Sequence, residues 1–478
     1  AYTSVDAHSS VEKGLRVAGL LSEQLRSVPV DATRAMDPKA LASLVGADRD
    51  AHPGLWAIKY VHRQLEAFAV DLPSGLVEVR NGYDFVNARE VAECRWGVTA
   101  GGKTLAEGTL AELDIEPHQA KRFKIPMPEL PAEPGREYWL TLSFRTKGRT
   151  LWAEKGHELS WEQFQLPSKE PARPARSISG PLAMTRDGGT ARFSGRDFAL
   201  TFDTGRGLIT GYVYKNVRLL KRGPSPDFWR AMTDNDIGAR RSPDYAVWRD
   251  QGQAWVIEDV SVDRVDEASA RITVAGRLDT VGARLTMTYG VFGNGDITVE
   301  CAYEPPGGQA PMMPRFGTEL VLSPGLETIA WYGRGPAPTY VDRDYERVGL
   351  HVSTVDQQWN EYSKPQENSN KTDVRWVALV NADGIGLLAV GSPLLSVSAY
   401  HVPKSEIEEA DYGFKLARHA EVWLNLDLGQ MGVGGVDSWS QRALPLPQYR
   451  IEGNRPHSYR YRLSPVEGDY SARTAEAF

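Results

Sequence analysis

Hydrophobic positions along this chain change period twice. Near the N-terminus, Val11, Leu15, Ala18, Leu21 and Leu25 recur at helical spacing. Ser9 and Glu12 stand ahead of them at the spacing of a capping box. Asp37-Pro38 opens a second short helix that Gly46 can close. Residues 1–50 therefore read as a helical segment, and no chemistry is visible in it. From about Ala51 the period falls to two. Leu76 to Asn87 reads as strand, turn and strand, with Asn81-Gly82 as a hairpin signal. Between Glu137 and Thr146 the alternation is clean. Tyr138, Leu140, Leu142 and Phe144 point one way, and Trp139, Thr141, Ser143 and Arg145 the other. Short strands separated by proline-rich connections such as Pro126–Pro131 predict a small β-sandwich over residues 51–168.

Pro167 to Pro181 carries Pro, Ser and basic residues without periodicity, so a linker is expected at 169–181. The remaining residues, 182–478, hold many strand-like runs and little helical pattern. Phe198–Phe202, Arg271–Gly276 and Arg284–Tyr303 are examples, the last folding back at Gly293–Asp296. So many strands over this length predict one large two-sheet sandwich. The fold class is mainly β with a short helical N-terminal segment.

A chain of 478 residues exceeds one ordinary core, in keeping with two or three domains. Its 55 basic against 62 acidic residues are well mixed, which argues against a nucleic-acid surface. No apolar run reaches membrane-spanning length. Cys94 and Cys301 lie far apart and imply no disulfide framework. That pattern favours the cytoplasm and leaves the periplasm or export open.

No metal-ligand spacing, HExxH, CxxC, GxSxG or phosphate-cradling glycine loop occurs, so no metal site and no cofactor is expected in this chain. The polar residues gather instead in three clusters within β sequence. The first, Phe228–Gly238, holds Arg230, Asp234, Asn235 and Asp236. The second, Trp331–Arg343, holds Arg334. The third, Pro365–Trp376, holds Glu367, Asn368, Asp373 and Arg375. Carboxylates, amides and guanidinium groups among aromatics are the pieces of a sugar site; they are equally the pieces that tie down turns. A fourth feature is the run Met431–Trp439, with glycine at 432, 434 and 435. Such a backbone is free to turn sharply, so Trp439 reads either as a loop residue or as a core residue behind the turn. An indole face there can stack on the C–H face of a sugar ring.

In this order the motifs resemble the C-terminal part of the bacterial β-galactosidases of glycoside hydrolase family 2. The matching runs are His52–Trp56, Arg230–Gly238, Gly333–Pro336 with Tyr340, Asp342 and Arg343, Pro365–Trp376, and Trp423–Trp439. The resemblance covers about residues 44–465. It implies an immunoglobulin-like β-sandwich followed by a β-supersandwich of the type also seen in aldose mutarotases. It implies hydrolysis of terminal β-D-galactosides with retention, which needs two carboxyl groups roughly 5 Å apart. In the family both are glutamates of a preceding (β/α)₈ barrel, where divalent and monovalent cations also bind. The lone Asn-Glu pair here, Asn360-Glu361, stands outside that context. A barrel-bearing partner chain or N-terminal half is therefore expected, with no catalytic residue in this chain. The Trp of the family's glycine loop reaches the barrel's mouth, which implies substrate contact for Trp439, supported by Asp437 and Ser438. Two departures stand out. Val436 replaces an acidic residue of that loop, and Ala337-Pro338-Thr339 follows Gly335-Pro336 in place of a Glu-Asn pair. Family enzymes of this size commonly self-associate, so an oligomer is expected. Two other readings stay open. One is a non-catalytic carbohydrate-binding or scaffolding protein. The other is mutarotase-like chemistry, for which His351, His401, His419 and Glu367 form the pool of acids and bases.

Overall fold

The computed structural model describes residues 2–4, 26–30, 53–168, 180–240, 242–469 and 474. Tyr2–Ser4 and Arg26–Val28 pair as two short parallel strands. The helices expected after Ser9 and Asp37, and residues 169–179 of the linker expected at 169–181, lie outside the described residues. Two compact units emerge. One comprises Ala1–Pro131 and Glu137–Ser168, the other Ala132–Arg136 and Lys169–Phe478.

In the first unit a helix, Pro53–Val61, stands where the sequence reads as already β. Proline at a helix start has no N–H to leave unsatisfied, which is the local reason for it. Beyond the helix, Leu65–Asp71, Leu76–Asn81 and Ala120–Lys124 form a three-stranded sheet. Lys103–Thr109, Ala92–Ala100, Tyr138–Thr146 and Glu158–Leu166 form, in that order, a four-stranded one. Both are antiparallel. Val77, Val79 and Phe123 of one sheet share a core with Val98, Leu140 and Phe144 of the other. That is the expected sandwich, and the predicted inner row Tyr138, Leu140, Leu142 and Phe144 is fully buried.

The hairpin expected after Asn81 does not form. Asn81 is buried, and its side-chain amide donates to the carbonyls of Val86 and Ile115. Asn87 caps the short helix Ala88–Val91. Two buried amides thus satisfy the loop's backbone, so a second strand is not needed for that purpose.

The second unit is built on one sixteen-stranded sheet. Its path runs from Ala183–Asp187 through Val217–Asp227, Arg315–Leu322, Val422–Gln430, Ile385–Tyr400 and His457–Glu467 to Val256–Asp266. The two ends approach each other: the Leu182 N–H donates to the Glu267 carbonyl at 2.9 Å. Ala191 and Phe193 near one end share a single core with Val262 and Ile272 near the other. The sheet is therefore wrapped around its own apolar interior, which leaves few exposed edges. This is the expected supersandwich. Ile385–Tyr400, the sixteen-residue strand, holds it together by pairing with Lys371–Val380, Val422–Gln430 and His457–Glu467. The fold-back at Gly293–Asp296 joins Ala283–Phe292 to Ile297–Glu304 as the sequence predicts, with Gly295 at φ +90°.

Candidate functional site

Strand Val422–Gln430 ends in the glycine loop, and all three polar clusters converge on or beside it. Met431 is fully buried. Its carbonyl accepts from the Arg230 guanidinium at 2.7 Å, and the Gly432 carbonyl accepts from the same group at 3.0 Å. Arg230 is itself buried and paired with Asp236 at 3.1 Å. Asp236 also completes a capping box with Thr233 on the short helix Asp234–Gly238. From the second cluster, the Asp342 carboxylate accepts from the N–H groups of Val433 (3.1 Å) and Gly434 (2.8 Å). A Cβ at Gly432 would lie 2.4 Å from an Asp342 oxygen, so the close approach requires glycine.

Farther along, Asn235 donates to the Asp437 carbonyl at 3.5 Å. A Cβ at Gly238 would meet the Ser438 carbonyl oxygen at 1.9 Å, so helix and loop touch backbone to backbone there. Asp437 accepts from the N–H groups of Trp439 (3.2 Å) and Ser440 (3.0 Å) and from the Ser440 hydroxyl at 2.7 Å. The hydroxyl bond, followed by those amides, holds the Asp437 carboxyl below its usual range. Ser438 contributes its backbone. The indole of Trp439 is 77% exposed on this firmly tied loop. Val436 beside it is also exposed.

The other predicted residues divide by burial. Glu367 is buried, accepting from Arg315 at 3.1 Å and Gln430 at 3.0 Å. Asn368 is buried and exchanges hydrogen bonds with Asn360. That places Asn360-Glu361 in a loop, not beyond a barrel strand. Asp234 is at the surface, accepting from Gln366. Arg334 donates to Asp373 at 2.6 Å, and Arg375 donates to the Asp373 carbonyl at 2.6 Å.

Beneath the loop lies a charge network that the sequence reading misses. Arg315 is fully buried and contacts Asp227 (3.2 Å), Glu367 (3.1 Å) and Asp427 (3.5 Å). Lys404 pairs with Asp227 and with Glu319. Burial would raise the Asp227 carboxyl, but Lys404 and Arg315 outweigh it and hold the group below its ordinary value. Burial dominates at Asp427 and pushes it well up, with the Arg315 cation opposing. One signal was available. Arg315 and Glu319 interrupt a strand, Arg315–Leu322, whose every residue is buried, and a charge in such a run needs a partner.

A cavity of 320 Å³ adjoins the loop's anchors. Tyr340 and Asp373 from the second and third clusters line it, with Asp344, Leu394, Leu428 and Tyr449. None of His351, His401, His419 and Glu367 lines it. His351 is stacked on Trp331, and burial, aided by Lys371, lowers its pKa to about 4. His419 faces Glu406. His401, Glu327 and Asp356 bring ligand-type atoms within 4.8 Å of one another. Arg418 donates to both carboxylates there.

The family model "Beta galactosidase small chain" matches residues 194–463, more than half of the chain. The chain belongs to the beta-galactosidase small chain family. A second model, "Beta-galactosidase, domain 4", matches residues 77–167, within the smaller sandwich. Among curated relatives, the β-galactosidase of Priestia megaterium is 31% identical over 426 residues, covering 88% of this chain and 40% of that protein. That of Lactobacillus delbrueckii subsp. bulgaricus is 29% identical over 425 residues, covering 88% and 41%. The chain thus spans about 40% of the length of the curated relatives it matches. Among solved structures, a putative aldose 1-epimerase from Escherichia coli K12 is 9% identical, covering 61% of this chain and all of that one, with a TM-score of 0.30. A galactose 1-epimerase from Lactobacillus acidophilus is 7% identical over the same share, with a TM-score of 0.33. Among the described residues, no helix is long and apolar enough to cross a membrane.

Proposed function

We propose that this chain is the C-terminal part or small subunit of a β-galactosidase that hydrolyses terminal β-D-galactosides with retention. In this reading Trp439 supplies a stacking platform to a barrel site carried by a partner chain or an N-terminal half. The observation that carries it is the 77% exposed indole on a loop tied down by Arg230, Asp342, Asn235 and Asp437. A large apolar ring held rigidly in water loses little further freedom on binding, which suits it to stacking. The carboxylates at the loop and of the network around Arg315 do not suit the chemical step. Asp342 and Asp437 accept hydrogen bonds from the loop's own N–H groups. Glu367 and Asp227 are buried against Arg315. The acid/base and the nucleophile therefore come from outside these residues.

The test is Trp439→Ala and Trp439→Phe in the assembled enzyme. The alanine variant is expected to raise KM by an amount equal to roughly 1–3 kcal/mol of lost stacking. The phenylalanine variant should recover part of that. An unchanged KM in Trp439→Ala, with normal thermal stability, would refute the platform. The purified chain alone should not turn over a chromogenic β-galactoside. Hydrolysis by a verified single species would refute the external origin of the catalytic groups.

A further inference from the structure

We propose that the cavity beside the loop is a second carbohydrate site, shaped for one neutral aldose ring and separate from Trp439. Its volume of 320 Å³ sits at the small end of the roughly 300–1,000 Å³ typical of small-molecule pockets. That admits a single ring and not a chain of them.

The lining offers unused hydrogen-bonding capacity of both signs. Asp373 uses one carboxylate oxygen on Arg334. The Asp344 carboxylate lies 3.8 Å from Arg334, beyond hydrogen-bond distance. Arg450 commits its Nε to the Pro445 carbonyl at 2.8 Å, and among the described residues its two terminal nitrogens have no partner. The Gln448 amide and the hydroxyls of Tyr340 and Tyr449 are likewise unpartnered among the described residues. Gln430, also in the lining, is the telling member, because it is 5% exposed and its Oε1 is buried without a partner among the described residues, where a buried acceptor ordinarily finds one. Leu394, Leu428 and Ile451 add apolar surface.

The balance of charge selects the ligand class. Two aspartates stand against Arg450 and Arg334, so neither a phosphate nor an ammonium ion is favoured as a whole. A hydroxyl both donates and accepts, so a ring bearing several can meet carboxylate, guanidinium and amide together. Its C–H face can lie on Tyr449 and the leucines. The wall also touches the Trp439 loop. Tyr340 is two residues from Asp342, and the Tyr449 carbonyl accepts from the Gly432 N–H at 2.8 Å.

The experiment is calorimetric titration of the full chain with D-galactose, with D-glucose and, as a control, with inorganic phosphate. Saturable one-to-one binding of one of the sugars is expected, and none of phosphate. The double variant Asp344→Ala/Gln448→Ala, altered only at exposed positions, should bind at least about tenfold more weakly with an unchanged Tm. Trp439→Ala should bind as the wild-type chain does. No saturable sugar binding, a preference for phosphate, or undiminished binding in the double variant would each overturn the proposal. Binding lost in Trp439→Ala and kept in the double variant would also overturn it, by assigning the sugar to the loop. Because these titrations need no partner, their failure leaves the Trp439 platform to stand or fall by its own kinetics.

Discussion

Removing the Asp342 carboxylate should loosen the Trp439 loop without unfolding the sandwich that bears it. In Asp342→Ala the N–H groups of Val433 and Gly434 lose acceptors at 3.1 and 2.8 Å. Hydrogen bonds to a charged group contribute about 1.5–3 kcal/mol each. Asp342 is only half-buried, so water replaces part of what is lost, and about 1–3 kcal/mol of local stability is the expected change for the pair. Arg230 still holds the Met431 and Gly432 carbonyls, so opening should be confined to the residues beyond them. At 1.4 kcal/mol per tenfold, amide exchange at Val433 and Gly434 should accelerate roughly 5- to 150-fold. Hydrogen exchange read residue by residue by NMR measures this directly, with the hairpin Ala283–Glu304 as an internal control that should not change. In the assembled enzyme the same variant should raise KM, because the indole is no longer held in one place. Unaltered protection at both amides would refute the reasoning and assign the loop's order to Arg230 alone.

Two further changes probe the interior. Arg315→Met leaves Asp227, Glu367 and Asp427 buried without their shared cation, and should cost about 3–5 kcal/mol in urea unfolding with little change in m; a loss below about 1 kcal/mol would show that Lys404 alone suffices. Lys371 is buried, its ammonium donating to the Ser369 carbonyl at 2.9 Å, and burial lowers its pKa from 10.5 to about 7, with Glu346 opposing. The unfolded chain then binds the extra proton between pH 7 and 10.5, so the wild-type protein gains stability as pH rises through that window, by at most about 1.4 kcal/mol per pH unit. Lys371→Met should be the more stable protein at pH 7 and below, with the difference shrinking toward pH 10.5. A difference independent of pH, measured by denaturant midpoints, would show that Lys371 stays charged throughout.

Much of the fold was legible because burial imposes a period. The row Tyr138, Leu140, Leu142 and Phe144 alternates with the period of a strand, and it faces the core of the small sandwich. The turn at Gly293–Asp296 announced itself by residues that tolerate positive φ. Asn81-Gly82 carried the same local signal and misled. What decides there is the distant Ile115 carbonyl, which claims the Asn81 amide. The helix Pro53–Val61 was missed because nine residues are too few for a period to stand out from the strands that follow.

By itself the sequence determined the two β units, their membership in one family, and a tryptophan at the end of a glycine-rich turn. These depend on local residue type and on order along the chain. Only the tertiary structure decided what that turn rests on. Arg230, Asp342 and Trp439 are separated by about a hundred residues at each step, and no periodicity links them. They meet because a sixteen-stranded sheet closes around a single core and brings the ends of distant strands to one place. The same closure buries Arg315 among three carboxylates and leaves a cavity lined from six separate stretches of chain. Hydrogen bonds and ion pairs act over a few ångströms of space, whatever their separation in sequence, so their partners become known only when the fold is complete.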